Sequence, residues 1–193
     1  MVKYAYDEND RVVETEYLSS ENGAAEGGVF RINNRFDRKG DLLEISYSDA
    51  DSTLVLNPET SVARIRYEYN ERNRLVSASC FGTDMRPTCY RDDRFVRKTI
   101  EYDDNNLAVR ESFYDAQDSL VVSQAAGYAV MQIFRDPYGR LVSVSIYDAE
   151  GNDITQKAEP VPSVSLRNSR SNIQKYVDIV QKVARAEMHY VPS

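Results

Sequence analysis

Hydrophobic and polar positions alternate along most of this chain, and the alternation restarts at a fixed interval. The segments "RVVETEY", "DLLEISY", "RLVSASC", "LAVRESF" and "RLVSVSI" each place apolar residues at every second position. Strict alternation is the mark of a strand with one buried face. Counted from the third position of each segment, the inward set is Val13, Thr15 and Tyr17; then Leu43, Ile45 and Tyr47; Val76, Ala78 and Cys80; Val109, Glu111 and Phe113; and Val142, Val144 and Ile146. The strand before each alternates too: Val2, Tyr4, Tyr6; Ile32, Asn34, Phe36; Ile65, Tyr67, Tyr69; Lys98, Ile100, Tyr102; Met131, Ile133, Arg135. Asn34, Lys98, Glu111 and Arg135 break the apolar set.

Between the two strands of each pair lies one small motif: "YDEND" at 6, "FDRKG" at 36, "YNERN" at 69, "YDDNN" at 102 and "RDPYG" at 135. The starts are 30, 33, 33 and 33 residues apart, a constancy that marks a repeat architecture. The second column reads Asp7, Asp37, Asn70, Asp103, Asp136, residues that bond the backbone two positions on and open a turn. The last column reads Asp10, Gly40, Asn73, Asn106, Gly139, residues that tolerate positive φ. Together they predict a type I turn closed by a bulge. A second turn follows each second strand, at "SDADS" (48), "FGTDM" (81), "YDAQD" (114) and "YDAEG" (147); "LSSEN" (18) holds the place in the first unit. Short apolar pieces follow, such as "TLVL" (53), "LVV" (120) and "DIT" (153), and read as third, short strands. Five units then give about ten to fifteen strands.

The expected fold is all-β: an antiparallel β-hairpin repeat array over 1–155, forming a coiled or curved sheet. One apolar face needs a cover. The sheet coiling on itself, a second copy, or a C-terminal helix would each supply it. Residues 156–170 read as a linker, with Pro160, Pro162 and several serines. Residues 171–189 read as an amphipathic helix with Ile173, Tyr176, Val177, Val180, Val183, Ala184 and Met188 on one side, opened by Ser171 and Gln174 as a capping box.

The stretch 127–152, "GYAVMQIFRDPYGRLVSVSIYDAEGN", resembles the bacterial YD or RHS-type tandem repeats, and is closer to a long variant of the form G-Y-A…Y-D-x-x-G…Y-D-A-x-G-N. The likeness covers about 1–155 and is eroded in the first three units. It departs from the short RHS pattern in its period of 33 residues. The resemblance implies a β-hairpin repeat scaffold without catalytic residues in the repeats.

Composition agrees with strands. There are 14 Tyr and 6 Phe but no Trp among 193 residues, and Tyr suits half-buried sheets. The net charge of −7 gives no general attraction for phosphate backbones, so nucleic acid is not an expected partner. The stretch 156–193 is locally basic, with Lys157, Arg167, Arg170, Lys175, Lys182 and Arg185 against Glu159, Asp178 and Glu187, too little to reverse that. "MVKYAYDENDR" has no apolar signal region and no apolar run reaches membrane-spanning length, so neither a leader nor membrane insertion is expected. A cytoplasmic chain and a fragment of an exported protein both remain open.

The chemistry that acidic loops suggest is calcium. "DENDR", "DADS" and "DAEGND" carry loop oxygens, but none matches a calcium-loop pattern. A turn role explains the same residues at a fixed period, including Asn70, where a ligand charge is lost. No metal or cofactor is therefore expected. Cys80 and Cys89 have no histidine nearby and read as small buried hydrophobes, with a disulfide across a hairpin as the alternative. The single histidine, His189, ends the expected helix; Gly27 and Gly28 follow no phosphate-loop pattern. Catalytic residues are not expected. The function expected is protein–protein recognition or scaffolding, including self-association, through an extended β surface. Glycan or cell-wall binding by rows of Tyr is the alternative, and a hydrolase comes third.

Overall fold

The computed structural model describes residues 2–17, 31–91 and 93–155, all within the unit Met1–Thr155. The linker expected at 156–170 and the helix expected at 171–189 lie outside them, as do "LSSEN" and Gly27–Gly28. Ten strands follow in order: β1 (Val2–Tyr6), β2 (Val12–Tyr17), β3 (Arg31–Phe36), β4 (Leu42–Ser48), β5 (Arg64–Tyr69), β6 (Leu75–Phe81), β7 (Arg97–Tyr102), β8 (Ala108–Tyr114), β9 (Val130–Arg135) and β10 (Leu141–Tyr147). Neighbours in sequence are neighbours in the sheet, all antiparallel, from β1 to β10. The result is one open sheet of five hairpins.

The first turn of every unit is built alike. The N–H of Asp7 donates to the Arg11 carbonyl and that of Asp10 to the Asp7 carbonyl; the same pair of bonds recurs at Asp37, Asn70, Asp103 and Asp136. The fourth residue takes positive φ each time: 58° at Asp10, 98° at Gly40, 56° at Asn73, 64° at Asn106 and 75° at Gly139. That conformation starts a bulge, and every hairpin register slips there.

The bulge corrects the face assignment of the second strands. Phe36 pairs with Leu42, while Arg35 pairs with Glu44, so Leu43 is the extra residue. Val12, Leu42, Leu75, Ala108 and Leu141 therefore share the face of the preceding odd strand. Val13, Leu43, Val76, Val109 and Val142 do not: the bulge turns them out of that set, and Val142 is 66% exposed. Beyond the bulge the phase returns, and Ile45, Tyr47 and Cys80 are buried as expected.

From β4 to β9 the apolar face is covered by a device that is not among the three expected ones. After β4 the chain turns at Asp49, folds back so that the Val55 N–H donates to the Tyr47 carbonyl, and turns again where the Asn57 N–H donates to the Val62 carbonyl. Val62 lies in the core cluster with Leu42, Ile45, Tyr47, Ile65, Tyr67 and Cys80, and Val55 and Tyr90 pack against it. In later units Phe95 and Tyr128 take the place of Val62, each packed on Phe113 at 4.9 and 5.8 Å between ring centres. These three connectors thus supply pieces of a second layer over the strands on either side of them. The expected third strands are single bridges within these connectors: Ser48 with Leu54, Phe81 with Pro87, Tyr114 with Leu120 and Tyr147 with Asp153.

Consecutive units are also latched by side chains. The Tyr69 hydroxyl donates to the Leu42 carbonyl at 3.0 Å and the Tyr102 hydroxyl to the Leu75 carbonyl at 2.9 Å. Phe36 holds the same place in the second unit without a hydroxyl; there the Arg11 guanidinium sits 4.9 Å from the ring centre, and Asn34 donates to the Val12 carbonyl at 3.1 Å. Burial, together with the carboxylates of Asp41 and Asp37, pushes the Tyr69 phenol up to about 12, and burial raises Tyr102 as well. The folded state thus disfavours tyrosinate. The stability this supplies is whole below the ordinary value of 10.0 and is lost as pH rises towards about 12. Alkaline unfolding of the array is expected in that window. Tyr69→Phe is expected to cost about 1 kcal/mol at neutral pH and to weaken the alkaline dependence. Urea titrations at pH 7 and across the alkaline range check both.

Candidate functional site

The acidic turns are the first candidate, and their oxygens are spent on the chain itself. At Asp7, Asp37, Asn70 and Asp136 one side-chain oxygen accepts the N–H groups two and four residues on, at 2.8–3.0 Å; Asp103 accepts the second of these, from Leu107. Asp49 and Asp115 repeat the double bond in the second turns. The amide of Asn70 does what the carboxylates do, so the role needs an acceptor and no charge. The Arg11 guanidinium, donating to Asp7 at 2.7 Å, holds that carboxyl below the usual range; at Asp37 the Asp41 N–H leads the same effect. No group of three or more His, Cys, Asp or Glu suited to a metal occurs among the described residues.

Two of the four residues that broke the apolar pattern, Lys98 and Glu111, form a polar cluster with Tyr128 of a connector. Lys98 Nζ lies 2.9 Å from Glu111 Oε2, and the Tyr128 hydroxyl donates to Glu111 Oε1 at 3.0 Å. Glu111 is only 5% exposed. Nearby, Asp93 is buried and accepts from the Ser123 hydroxyl at 2.7 Å and the Gln124 N–H at 3.0 Å, fixing the third turn of the following unit. Both carboxylates are engaged by donors that tie the connectors to the sheet and to one another. Of the other two pattern-breakers, Asn34 latches units as described, and Arg135 donates to the Gly139 carbonyl at 3.2 Å within its own turn.

The opposite face of the sheet is polar and cross-linked by ion pairs. Glu44 lies 3.0 Å from Arg66, 3.5 Å from Arg64 and 3.8 Å from Arg35, and Glu16 bridges Lys3 and Arg31. Arg97 pairs with Asp118 and stands 4.3 Å from the Tyr114 ring centre. The Glu44 and Glu16 pairs join adjacent strands, as opposed charges across a ladder do, whereas Arg97 ties β7 to the turn after β8.

Cysteines and tyrosines depart from the simple expectation. Cys80 and Cys89 are both thiols, not a disulfide; Cys80 is buried, but Cys89 is exposed. Cys80 stands on the apolar face of β6, whereas Cys89 lies in the connector, its thiol donating to the Arg94 carbonyl at 3.4 Å. Tyr47, Tyr67 and Tyr128 are buried, and Tyr69 and Tyr102 serve as latches. Tyr4 and Tyr6 are exposed, but their rings are tilted by 47°, which is not a flat stacking platform for a sugar. His189 lies outside the described residues.

The ends of the array remain. Among the described residues the only strand beside β1 is β2, and the only strand beside β10 is β9; the far end of β10 is also bridged from Tyr147 to Asp153, with the Ile146 carbonyl accepting from the Ile154 N–H. Every residue of β1 is exposed, and its apolar row of Val2, Tyr4 and Tyr6 is 38%, 44% and 57% exposed. The interior junctions between hairpins use the matching edge in three residue pairs each. The class that fold and surface define is an open antiparallel β-hairpin repeat array. No family model and no curated protein matches the chain.

Proposed function

We propose that the array is a non-catalytic module for protein–protein recognition or scaffolding, working through its extended β surface and its edges. The observation that carries this reading is the open sheet: two terminal strands, each with one neighbouring strand among the described residues, offer edge positions that accept another strand, along β1 and along β10 before Ile146, whose N–H and C=O are taken by Thr155 and Ile154. The resemblance of 127–152 to YD or RHS-type repeats supports the same reading, and kinship with those repeats is part of the proposal.

The test places a photo-crosslinking residue at Tyr4, at Ser145, or at Glu59 in a connector. Each purified chain is irradiated in extract of its source cells. Protein adducts from the two edge positions and none from Glu59 are expected. Adducts from Glu59 alone, or no protein adducts together with a clear glycan-array signal, would overturn the reading.

A further inference from the structure

We infer that the strand recognised by each edge belongs to a second copy of this chain: β10 of one copy pairs with β1 of the next, and the array continues head to tail. The inference rests on the recognition reading above and names its partner.

The interior junctions define what such a contact requires. Glu14, Glu44, Ser77 and Arg110 pair with Asn33, Arg66, Thr99 and Gln132; Thr15, Ile45, Ala78 and Glu111 pair with Ile32, Ile65, Lys98 and Met131. The same columns of the repeat place Ser143 and Val144 on β10 and Lys3 and Val2 on β1. A β10-to-β1 junction is therefore Ser143 with Lys3 and Val144 with Val2, antiparallel like the other four. Lys3 is no bar at this edge, since Arg66 fills its column in a paired strand.

Both latches seen inside the array stand ready at its two ends. Tyr6 occupies the column of Tyr69 and Tyr102, whose hydroxyls donate to the carbonyls of Leu42 and Leu75; the matching carbonyl on β10 is that of Leu141. Arg140 occupies the column of Arg11, whose guanidinium donates to the Asp37 carbonyl at 3.1 Å and stands over Phe36. The matching groups in the next copy are the Asp7 carbonyl and the Tyr6 ring. Within its own unit Arg140 holds Asp136 at 2.5 Å, as Arg11 holds Asp7, and its side chain is 68% exposed. Tyr6 has the shape and hydroxyl of a latch, yet it sits at an edge with no unit before it among the described residues. The contact joins two different edges, so it is heterologous and propagates from copy to copy, into a ring or an open filament.

The test uses the full chain with Cys89→Ser and engineered thiols. With Val2→Cys and Val144→Cys together, mild oxidation is expected to yield a ladder of covalent dimers, trimers and higher species. Either substitution alone is expected to yield none, and a mixture of the two single variants only dimers. Arg140→Glu is expected to weaken association about tenfold in sedimentation. Dimers from Val2→Cys alone would show symmetric edge pairing and overturn the inference. So would a wild-type chain monomeric at every concentration together with a double-cysteine variant that gives no ladder. In that case protein adducts at Tyr4 and Ser145 leave the broader recognition reading standing, and their absence removes both.

Discussion

Lys98→Met is expected to destabilise the array by about 3–5 kcal/mol, the range for a buried ion pair that loses one partner. Glu111 is almost wholly enclosed on the apolar face, and its donors are the ammonium of Lys98 and the hydroxyl of Tyr128. Methionine keeps the bulk against the Phe113 ring, which Lys98 Nζ approaches to 5.5 Å, but leaves the carboxylate with a single neutral donor. The reverse change is expected to be milder. In Glu111→Leu the surviving Lys98 side chain is 22% exposed and can carry its charge to water, so about 1–2 kcal/mol is expected. The double variant Lys98→Met/Glu111→Leu is expected within about 1 kcal/mol of the wild type, because no buried charge remains and Tyr128 loses one acceptor. Urea midpoints of the four proteins close the cycle. Equal costs for the two single variants would show that the pair is solvated and would defeat this account.

Those two residues also show where reading a sequence stops. Lys98 and Glu111 look like defects in two separate apolar rows. Only the register, with Lys98 opposite Phe113 and Glu111 opposite Ile100, makes them diagonal neighbours on one face. The hairpins themselves were legible because Asp or Asn at the start of each turn and an αL-tolerant residue at its end recur at one spacing. The phase of the second strands was not. Leu42 and Leu43, or Leu75 and Val76, are both apolar, so periodicity cannot choose between them, whereas the bulge chooses the first. A bulge-closed turn implies that slip, and carrying it through would have turned Val142 outward. The connectors were the larger omission. "NPETSVA", "YRDDRFV" and "SQAAGYA" share no turn motif, yet Val62, Phe95 and Tyr128 stand 33 residues apart, followed by Ala63, Val96 and Ala129. That recurring apolar pair was the available sign of a covering layer.

Ile45→Ala is expected to cost about 3–4 kcal/mol, in the upper part of the range for truncating a buried isoleucine. The site cannot collapse around the missing atoms. Ile45 is 1% exposed, and Val62, Ile65 and Tyr47 around it are 0%, 3% and 4% exposed. Its cross-strand neighbour Ile65 is paired on both sides, Asn34 is tied to the Val12 carbonyl by its side chain, and Val62 is held by the turn bond from Asn57. Val144→Ala makes a related truncation in the same column of the last unit. Val144 is only half-buried and β10 has a strand on one side, so about 1 kcal/mol is expected there. In an array stabilised by nearest-neighbour contacts, the damage also stays local. Hydrogen exchange in Ile45→Ala is expected to rise across β3 to β6 while the β9–β10 hairpin keeps its protection. A uniform rise across all ten strands would show instead that the array opens as one cooperative unit, with the latches at Tyr69 and Tyr102 strong enough to bind neighbouring hairpins into a single folding transition.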